Sequence, residues 1–524
     1  MKKVLMGLAV AASLLMGGTA QSQNAESTLV IAISADPTGL DPMAVANITS
    51  NYVAATLFNS LLAYKPGTVE IEPGIAESWD ISADGKTYTF KIRQGVTYHD
   101  GTPLNAETVF WSFDRLLNKS NPQYIFDMGR VERNVQRYVD AIASYRVVDD
   151  YTLEVVLNGP RGDFLASLTE VGFGLVSPTA AAKYTTEIRN HPVGTGPFMF
   201  KEYRQHDQVI LEANPNYWRG KPKVDRLIFK IYPSNQAAIL GIRNGDAHIL
   251  ADFSIQALSA VQGDPNIEVI NSPGLVVSGV NIPVNKAPFD DKRVRQALNY
   301  AVDKEGINRG LYQGLAETLN SPLPKAQWGN NPSLEPYAYD PEKAKALLAE
   351  AGVEPGTKIN LLTFNAPRPY NPAGPAVAVA VQNYLEKVGF QVDVQQMETG
   401  ALLSTARSGT YDGFVLAGWQ ATNGDPADFA SNLWSSSGIP MFNYLGYTNA
   451  EVDSLTDEAL VTTDRAKREE LYLKAQELIW DDAPWIFLNS AMQMVPVRKE
   501  VQGYRPSPLR IFFDMENVSL TSGK

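Results

Sequence analysis

The chain has 524 residues, with 45 lysines and arginines and 57 aspartates and glutamates, so its formal net charge is −12. A hydrophobic fraction of 44% and a charged fraction of 19% are typical of folded globular proteins and exclude a largely disordered chain. The acidic balance argues against a nucleic-acid partner, and the absence of cysteine excludes disulfides, cysteine-ligated metals and thiolate nucleophiles.

The first 20 residues have the pattern of a secretory signal peptide. Two lysines follow Met1, residues 4–16 form an apolar run, and small residues end at Ala20. The run is shorter than the ~20 residues that a membrane-spanning helix needs. We expect a signal peptide at 1–20, cleaved after Ala20 or alternatively after Ala25, and a periplasmic protein. Without a cysteine it is not expected to be a lipoprotein.

Strands dominate the prediction for the first half of the chain. The Asp84-Gly85 pair between two alternating segments indicates a tight hairpin, because both residues tolerate the positive φ that such turns require. The predicted strands are 29–33, 79–81, 87–92, 151–157 and 226–232.

Helices are predicted after about residue 285. Apolar residues follow Asp291 at helical spacing, and Asp340-Pro341 predicts a helix start with a side-chain cap and proline at the first position. Gly352 is expected to end that helix, and a third helix is expected to stop before Pro484. Strand-like runs lie between these helices, so the pattern predicts a mixed α/β protein.

Sequence signatures of catalysis are missing. There is no Gly-x-Ser-x-Gly, Ser-x-x-Lys, His-Glu-x-x-His or Walker motif, and the four histidines form no i, i+4 pair. Residues 194–197 (GTGP) are better explained as a tight turn than as a phosphate cradle. The carboxylate pairs at 290–291 and 481–482 lie at predicted helix ends, where capping explains them. We therefore expect no enzyme, no cofactor and no bound metal.

An ordered series of loop motifs resembles the family 5 extracellular solute-binding proteins of peptide-type ABC transporters. Each motif is weak alone, but the series covers nearly the whole mature chain. The motifs lie at 36–42 (DPTGLDP), 75–79 (IAESW), 84–90 (DGKTYTF), 192–198 (PVGTGPF), 294–301 (VRQALNYA) and 340–348 (DPEKAKALL). Three further stretches resemble the dipeptide-binding members, at 368–372 (RPYNP), 418–426 (GWQATNGDP) and 497–504 (VRKEVQGY).

The resemblance implies a two-lobed α/β periplasmic-binding-protein fold of type II, in the large peptide-binding class. Lobe I is expected at 26–273 plus 497–524, with an extra subdomain at about 60–195, and lobe II at 281–489. The hinge crossings are expected near 273–280 and 489–497.

The resemblance also implies a peptide site. Arg368 occupies the position of the arginine that holds the peptide carboxylate, and a planar guanidinium suits that group. The aspartate that would hold the ammonium group is replaced by Thr422. Asn423 belongs to the same loop, and Asp425 is either the substitute counter-charge or a structural turn residue.

Further candidates rest on their proximity to the matched loops. Tyr370, Trp419 and Trp434 are either walls of the cleft or core residues, and Thr38 with Gly39 is expected to offer backbone groups from the first lobe.

The resulting hypothesis is a monomeric receptor that captures short peptides or peptide-like solutes and delivers them to an ABC permease. The alternatives are another cargo (glutathione, an opine, haem or a nickel chelate) and, more remotely, an exported peptide hydrolase.

Overall fold

The computed structural model describes residues 26–44, 47–125 and 133–521. The predicted signal peptide at 1–20 lies outside these residues. Within the described ranges, no helix is both long and apolar enough to cross a membrane.

A seven-stranded sheet forms the centre of the first lobe. Leu29 and Ile31 are fully buried in its central strand, which runs parallel to both of its neighbours. The other pairings are antiparallel. In spatial order the strands are Ile267–Ser272, Gln493–Arg498, Ile249–Leu250, Thr28–Ile33, Arg226–Ile231, Gln208–Ala213 and Phe198–Arg204.

A six-stranded mixed sheet forms the centre of the second lobe. Its strands 276–281 and 485–491 are buried along their whole length, as expected for central strands covered on both faces. In spatial order the strands are Ala316–Thr318, Trp485–Ala491, Val276–Asn281, Phe414–Gln420, Lys358–Phe364 and Gln391–Met397.

Two adjacent antiparallel strands pass from one sheet to the other. The first crossing is the three-residue segment 273–275, and the second is the single residue Met492. We propose that these short segments form the hinge. They are narrower than the expected 273–280 and 489–497, because the ladder of the second sheet already includes Val276 and Ala491.

A separate antiparallel sheet of four strands lies within the region where the extra subdomain is expected. Gly85 has a φ of +71° in its first hairpin, as the Asp-Gly turn predicts. The strands, in order, are Ala76–Ile81, Thr87–Ile92, Thr152–Leu157 and Ile142–Asp149. Two small pairs complete the strands: Leu62–Tyr64 with Ile71–Pro73, and Val501–Gln502 with Ser519–Leu520.

The three predicted helices are confirmed, and so is the predicted cap at Asp340. Asp291 accepts a hydrogen bond from the backbone N–H of Arg293, and Asp340 accepts one from Lys343. The helices are Ile48–Leu57, Ala106–Leu117, Arg133–Val139, Phe164–Ser167, Pro178–Tyr184, Asn235–Asn244, Lys292–Ala301, Lys304–Leu311, Pro341–Glu350, Gly374–Lys387, Thr399–Ala406, Ala427–Phe429, Ala450–Val461 and Arg465–Asp482, with a π-helical turn at Ala430–Trp434.

Candidate functional site

A cavity of about 260 Å³ lies between the two lobes. The first lobe contributes polar side chains to its wall, and the second lobe contributes the end of strand 414–420 and the loop after it. The lining residues are Asn47, Ile48, Asn51, Tyr64, Thr169, Glu170, Val171, Gln420, Ala421, Thr422, Leu509, Ile511 and Phe513. Enclosure between two lobes is typical of ligand sites in proteins of this architecture.

Thr422 is the predicted site residue that lines this cavity. Its backbone N–H donates to Asp428 Oδ2 at 2.7 Å, and its hydroxyl lies 3.2 Å from the same oxygen. Burial raises the pKa of the Asp428 carboxyl, while Arg137 opposes the shift. Because the hydroxyl proton is donated to Asp428, the Thr422 oxygen keeps lone pairs for a donor in the cavity.

Asp425 has a structural role, so its assignment as the ammonium partner is corrected. Both carboxylate oxygens bind the guanidinium of Arg468, at 2.6 and 2.7 Å, and one also accepts the backbone N–H of Ala427. Asp425 is 4% exposed and Arg468 is 3% exposed. A bidentate buried pair already uses the charge of Asp425.

Asn423 connects the two lobes instead of lining the cavity. It is fully buried, and its side-chain amide donates to Glu170 Oε1 at 2.8 Å and to Tyr138 Oη at 3.1 Å. The next backbone N–H, at Gly424, donates to Tyr64 Oη at 2.9 Å. The predicted ligand contact of Asn423 is therefore replaced by an interlobe contact.

The loop 368–371 presents a guanidinium over two aromatic rings. Backbone bonds between Arg368 and Asn371 in both directions close the loop. The half-buried guanidinium of Arg368 lies 5.2 Å from the ring centre of Phe364 and 5.7 Å from that of Tyr370. No carboxylate of the described chain forms an ion pair with Arg368.

Tyr370 supports this loop from below. Its ring packs so closely on the adjacent strand that a Cβ added at Gly418 would come within 2.8 Å of Tyr370 Cδ2. Tyr370 is 6% exposed, and burial raises its pKa, so the phenol stays neutral. Its hydroxyl lies 3.4 Å from Arg368 Nε.

The two predicted tryptophans differ in position. Trp419 is half-buried, donates to Asp428 Oδ2 at 3.2 Å and packs edge-on against Phe442 at 4.7 Å. Trp434 is 1% exposed and packs against Trp485 at 4.6 Å and Phe487 at 5.7 Å. Trp434 is therefore a core residue, which corrects its assignment as a cleft wall.

Thr38 and Gly39 do not line the interlobe cavity. The backbone N–H of Thr38 donates to the Ser50 hydroxyl at 3.0 Å, and the Thr38 side chain is exposed. Their contact with ligand stays a prediction.

The sequence analysis missed several polar residues of the cavity, including Asn47, Asn51, Glu170 and Gln420. These four residues come from three separate segments, at 47–51, 170 and 420, so only the folded chain brings them together. The described residues contain no group of three or more metal-ligating side chains.

Comparison with known proteins defines the family. A family model described as bacterial extracellular solute-binding proteins, family 5 Middle, matches residues 70–441. The chain belongs to this family. The resemblance found in the ordered motifs and the two-lobed α/β fold are thereby confirmed.

Curated relatives match over nearly the whole chain. It is 35% identical to the dipeptide-binding protein of Escherichia coli, with 94% of each chain covered. It is 33% identical to heme-binding protein A of Haemophilus influenzae (94% and 92% covered) and 32% identical to di/tripeptide-binding protein 1 of Pseudomonas aeruginosa (93% and 94% covered). These relatives are solute-binding proteins rather than enzymes.

Solved structures show the same fold. HbpA2 from Haemophilus parasuis matches with a TM-score of 0.88 at 31% identity, covering 94% of this chain and all of the other. DppA from Helicobacter pylori, in complex with the peptide STSA, matches with a TM-score of 0.77 at 32% identity, covering 94% and 98%.

Proposed function

We propose that this protein is the periplasmic, monomeric substrate-binding component of an ABC importer. It captures short peptides or peptide-like solutes between its two lobes and delivers them to the membrane permease without chemical change. Relatives named for dipeptides and di/tripeptides, and a similar structure holding the peptide STSA, support a peptide cargo.

The observation that carries the proposal is the geometry of Arg368. Its guanidinium rests on Phe364 and Tyr370 and is not neutralised by any carboxylate in the described part of the chain. Every linear peptide offers a terminal carboxylate, and a planar guanidinium binds it with two parallel hydrogen bonds. We assign the peptide carboxylate to Arg368.

The ammonium group of the peptide is assigned to the side of the cavity that Thr422 lines. The Thr422 oxygen accepts the N–H, while the Asp428 carboxylate directly behind it supplies negative charge. In this arrangement the ammonium group contacts the Thr422 hydroxyl, and the Asp428 carboxylate lies behind that hydroxyl instead of contacting the ammonium group directly. This contact with the ammonium group is weaker than a direct contact with a carboxylate. It therefore favours ligands that also gain affinity from their other groups.

Mass spectrometry of compounds that co-purify with the exported protein identifies the cargo, and calorimetric titration then measures their affinities. Free-carboxylate peptides are expected. Haem, an opine or a metal chelate would keep the receptor role and overturn the peptide cargo, whereas turnover of bound peptide would overturn the receptor role itself.

Arg368→Ala should weaken the binding of such a peptide by about 2–5 kcal/mol, because a desolvated carboxylate loses its partner. The matched control is Arg309→Ala, an exposed arginine of the second lobe, which should leave affinity unchanged. Equal affinity of the Arg368 variant and the wild type would remove Arg368 from the site.

A further inference from the structure

Four hydrogen-bond donors converge on the second lobe beside the proposed carboxylate site. Arg368 approaches the Tyr370 hydroxyl, and Arg407 lies 6.0 Å from the ring centre of Tyr444 and 5.7 Å from that of Phe442. Both arginines also act electrostatically on both phenols, which places the four groups in one cluster.

The cluster contains donors but no anionic acceptor. Arg407 Nε donates to the backbone carbonyl of Met441 at 2.9 Å, and Arg368 Nε approaches Tyr370 Oη at 3.4 Å. Neither arginine forms an ion pair among residues 26–44, 47–125 and 133–521. Two deeply buried arginines elsewhere are neutralised by carboxylates, in the pairs Arg468–Asp425 and Arg115–Asp41, whereas buried Arg295 binds backbone carbonyls.

The phenols of the cluster remain proton donors at neutral pH. Tyr370 is 6% exposed and Tyr444 is 8% exposed. Burial raises the pKa of Tyr444 to about 12, although Arg407 and Arg368 oppose the shift. Neutral phenols cannot neutralise the arginines, so the cluster carries two positive charges and two additional O–H donors.

Side-chain contacts connect the cluster to the cavity loop and to the first lobe. Phe442, under Arg407, contacts Trp419, whose indole donates to Asp428 behind the cavity-lining Thr422. The loop that carries Arg368 touches the first lobe, because Gln256 Nε2 donates to the Pro372 carbonyl at 3.2 Å. A ligand whose carboxylate binds Arg368, as proposed above, therefore lies beside Arg407 as well.

One terminal carboxylate neutralises only one of these guanidiniums. When the lobes enclose the ligand, the second guanidinium loses water without gaining a counter-charge, which disfavours ligands with a single carboxylate. A second carboxylate close to the first removes this penalty and accepts the additional donors.

We propose that Arg407 and Tyr444 form a second carboxylate subsite beside Arg368. The preferred cargo is then a short peptide whose C-terminal residue is acidic, so that its side-chain carboxylate binds Arg407 while its α-carboxylate binds Arg368. This inference rests on the proposed function, and it names the ligand class of that site.

The test compares Ala-Glu with Ala-Gln by calorimetry, because the two dipeptides differ only in a carboxylate replaced by an amide of the same shape. The wild type should bind Ala-Glu about 10- to 100-fold more tightly. Arg407→Gln should abolish this preference: it should weaken the binding of Ala-Glu, and it should bind Ala-Gln at least as tightly as the wild type does, because no unpaired guanidinium is then enclosed. Tyr444→Phe should reduce the preference in part, since it removes one donor and keeps the ring.

Arg309→Gln is the matched control, because it removes an exposed arginine from the same lobe and should keep the full preference. Unchanged thermal unfolding and circular dichroism of each variant confirm folding. Equal affinity of the wild type for the two dipeptides, or a preference that survives in Arg407→Gln, overturns the inference while the peptide receptor stands. Binding of neither dipeptide, together with no peptide among co-purified compounds, overturns the proposed function and the inference with it.

Discussion

At the scale of the residue, Glu516 shows how burial changes the charge of a side chain. It is 6% exposed and lines a cavity of about 70 Å³ in the first lobe together with Tyr217, Arg219 and Asp514. Burial, assisted by Asp514 and Glu72 and opposed by Arg219, raises the pKa of Glu516 from 4.5 to about 7. The folded chain therefore holds a proton that the unfolded chain releases.

The consequence is a loss of stability with rising pH. Between about 4.5 and 7 the folded state binds more protons at Glu516, so the free energy of unfolding falls as pH rises and the full penalty remains above pH 7. Glu516→Gln removes the charge. It should raise the free energy of unfolding by about 1–3 kcal/mol at pH 8 and leave it nearly unchanged at pH 4.5. Denaturant unfolding at both pH values measures this, and an equal gain at both would contradict it.

At the scale of the element, one helix fixes the loop that leads away from the cavity. Arg468, in the first turn of helix Arg465–Asp482, binds both oxygens of Asp425 and also donates to the Gly162 carbonyl at 2.8 Å. Gly162 lies in the first lobe, so the guanidinium joins the loop, the helix and the facing lobe. The charge of Asp425 thus neutralises Arg468, and we propose that it stabilises structure rather than selecting ligand.

Asp425→Ala should lower the free energy of unfolding by about 3–5 kcal/mol, because it leaves the Arg468 guanidinium buried without a counter-charge. The control is Glu154→Ala, which breaks a solvent-exposed pair with Arg146 and should cost no more than about 1 kcal/mol. Thermal and denaturant unfolding provide the measurement. A loss of ligand affinity at unchanged stability would instead return Asp425 to the ligand site.

Local elements of the second half were predictable because their signals lie within a few residues of each other. Asp340 caps its helix through a bond to Lys343, three positions away. The roles of Asp425 and Trp434 depend on Arg468 and Trp485, which are 43 and 51 positions distant, so no local pattern separates core from cleft. The series of motifs was enough to identify the family, but the residues that line the cavity could be identified only from the folded structure.

At the scale of the whole molecule, the two lobes are joined by a small number of buried hydrogen bonds. Gly424 donates its backbone N–H to Tyr64, and Asn423 donates to Glu170 and Tyr138. In an open form water would satisfy these groups. Each contact therefore shifts the equilibrium between open and closed forms and contributes to ligand affinity through that shift, in addition to what the cavity-lining Tyr64 and Glu170 contribute directly.

Tyr64→Phe leaves the Gly424 N–H without an acceptor in the closed form, which costs about 1–3 kcal/mol. Peptide affinity should fall about tenfold. Small-angle X-ray scattering measures the decrease in radius of gyration when peptide is added, and this decrease should occur at a higher peptide concentration in the variant than in the wild type. Tyr447→Phe removes a hydroxyl that donates to Asp482 within the second lobe, so it should lower stability without changing closure. Equal closure of the wild type and Tyr64→Phe would contradict the role of this contact.

The path of the chain through the first sheet also determines when that sheet can be completed. Strand Gln493–Arg498 lies between Ile267–Ser272 and Ile249–Leu250, so the strand at the edge of the sheet has no neighbour until the last part of the chain has been synthesised. Translation supplies residues in order, and a lobe that needs its final strand folds late. For a protein exported as proposed, the first sheet thus stays incomplete during synthesis, when an unfolded chain is the form that can be threaded across a membrane.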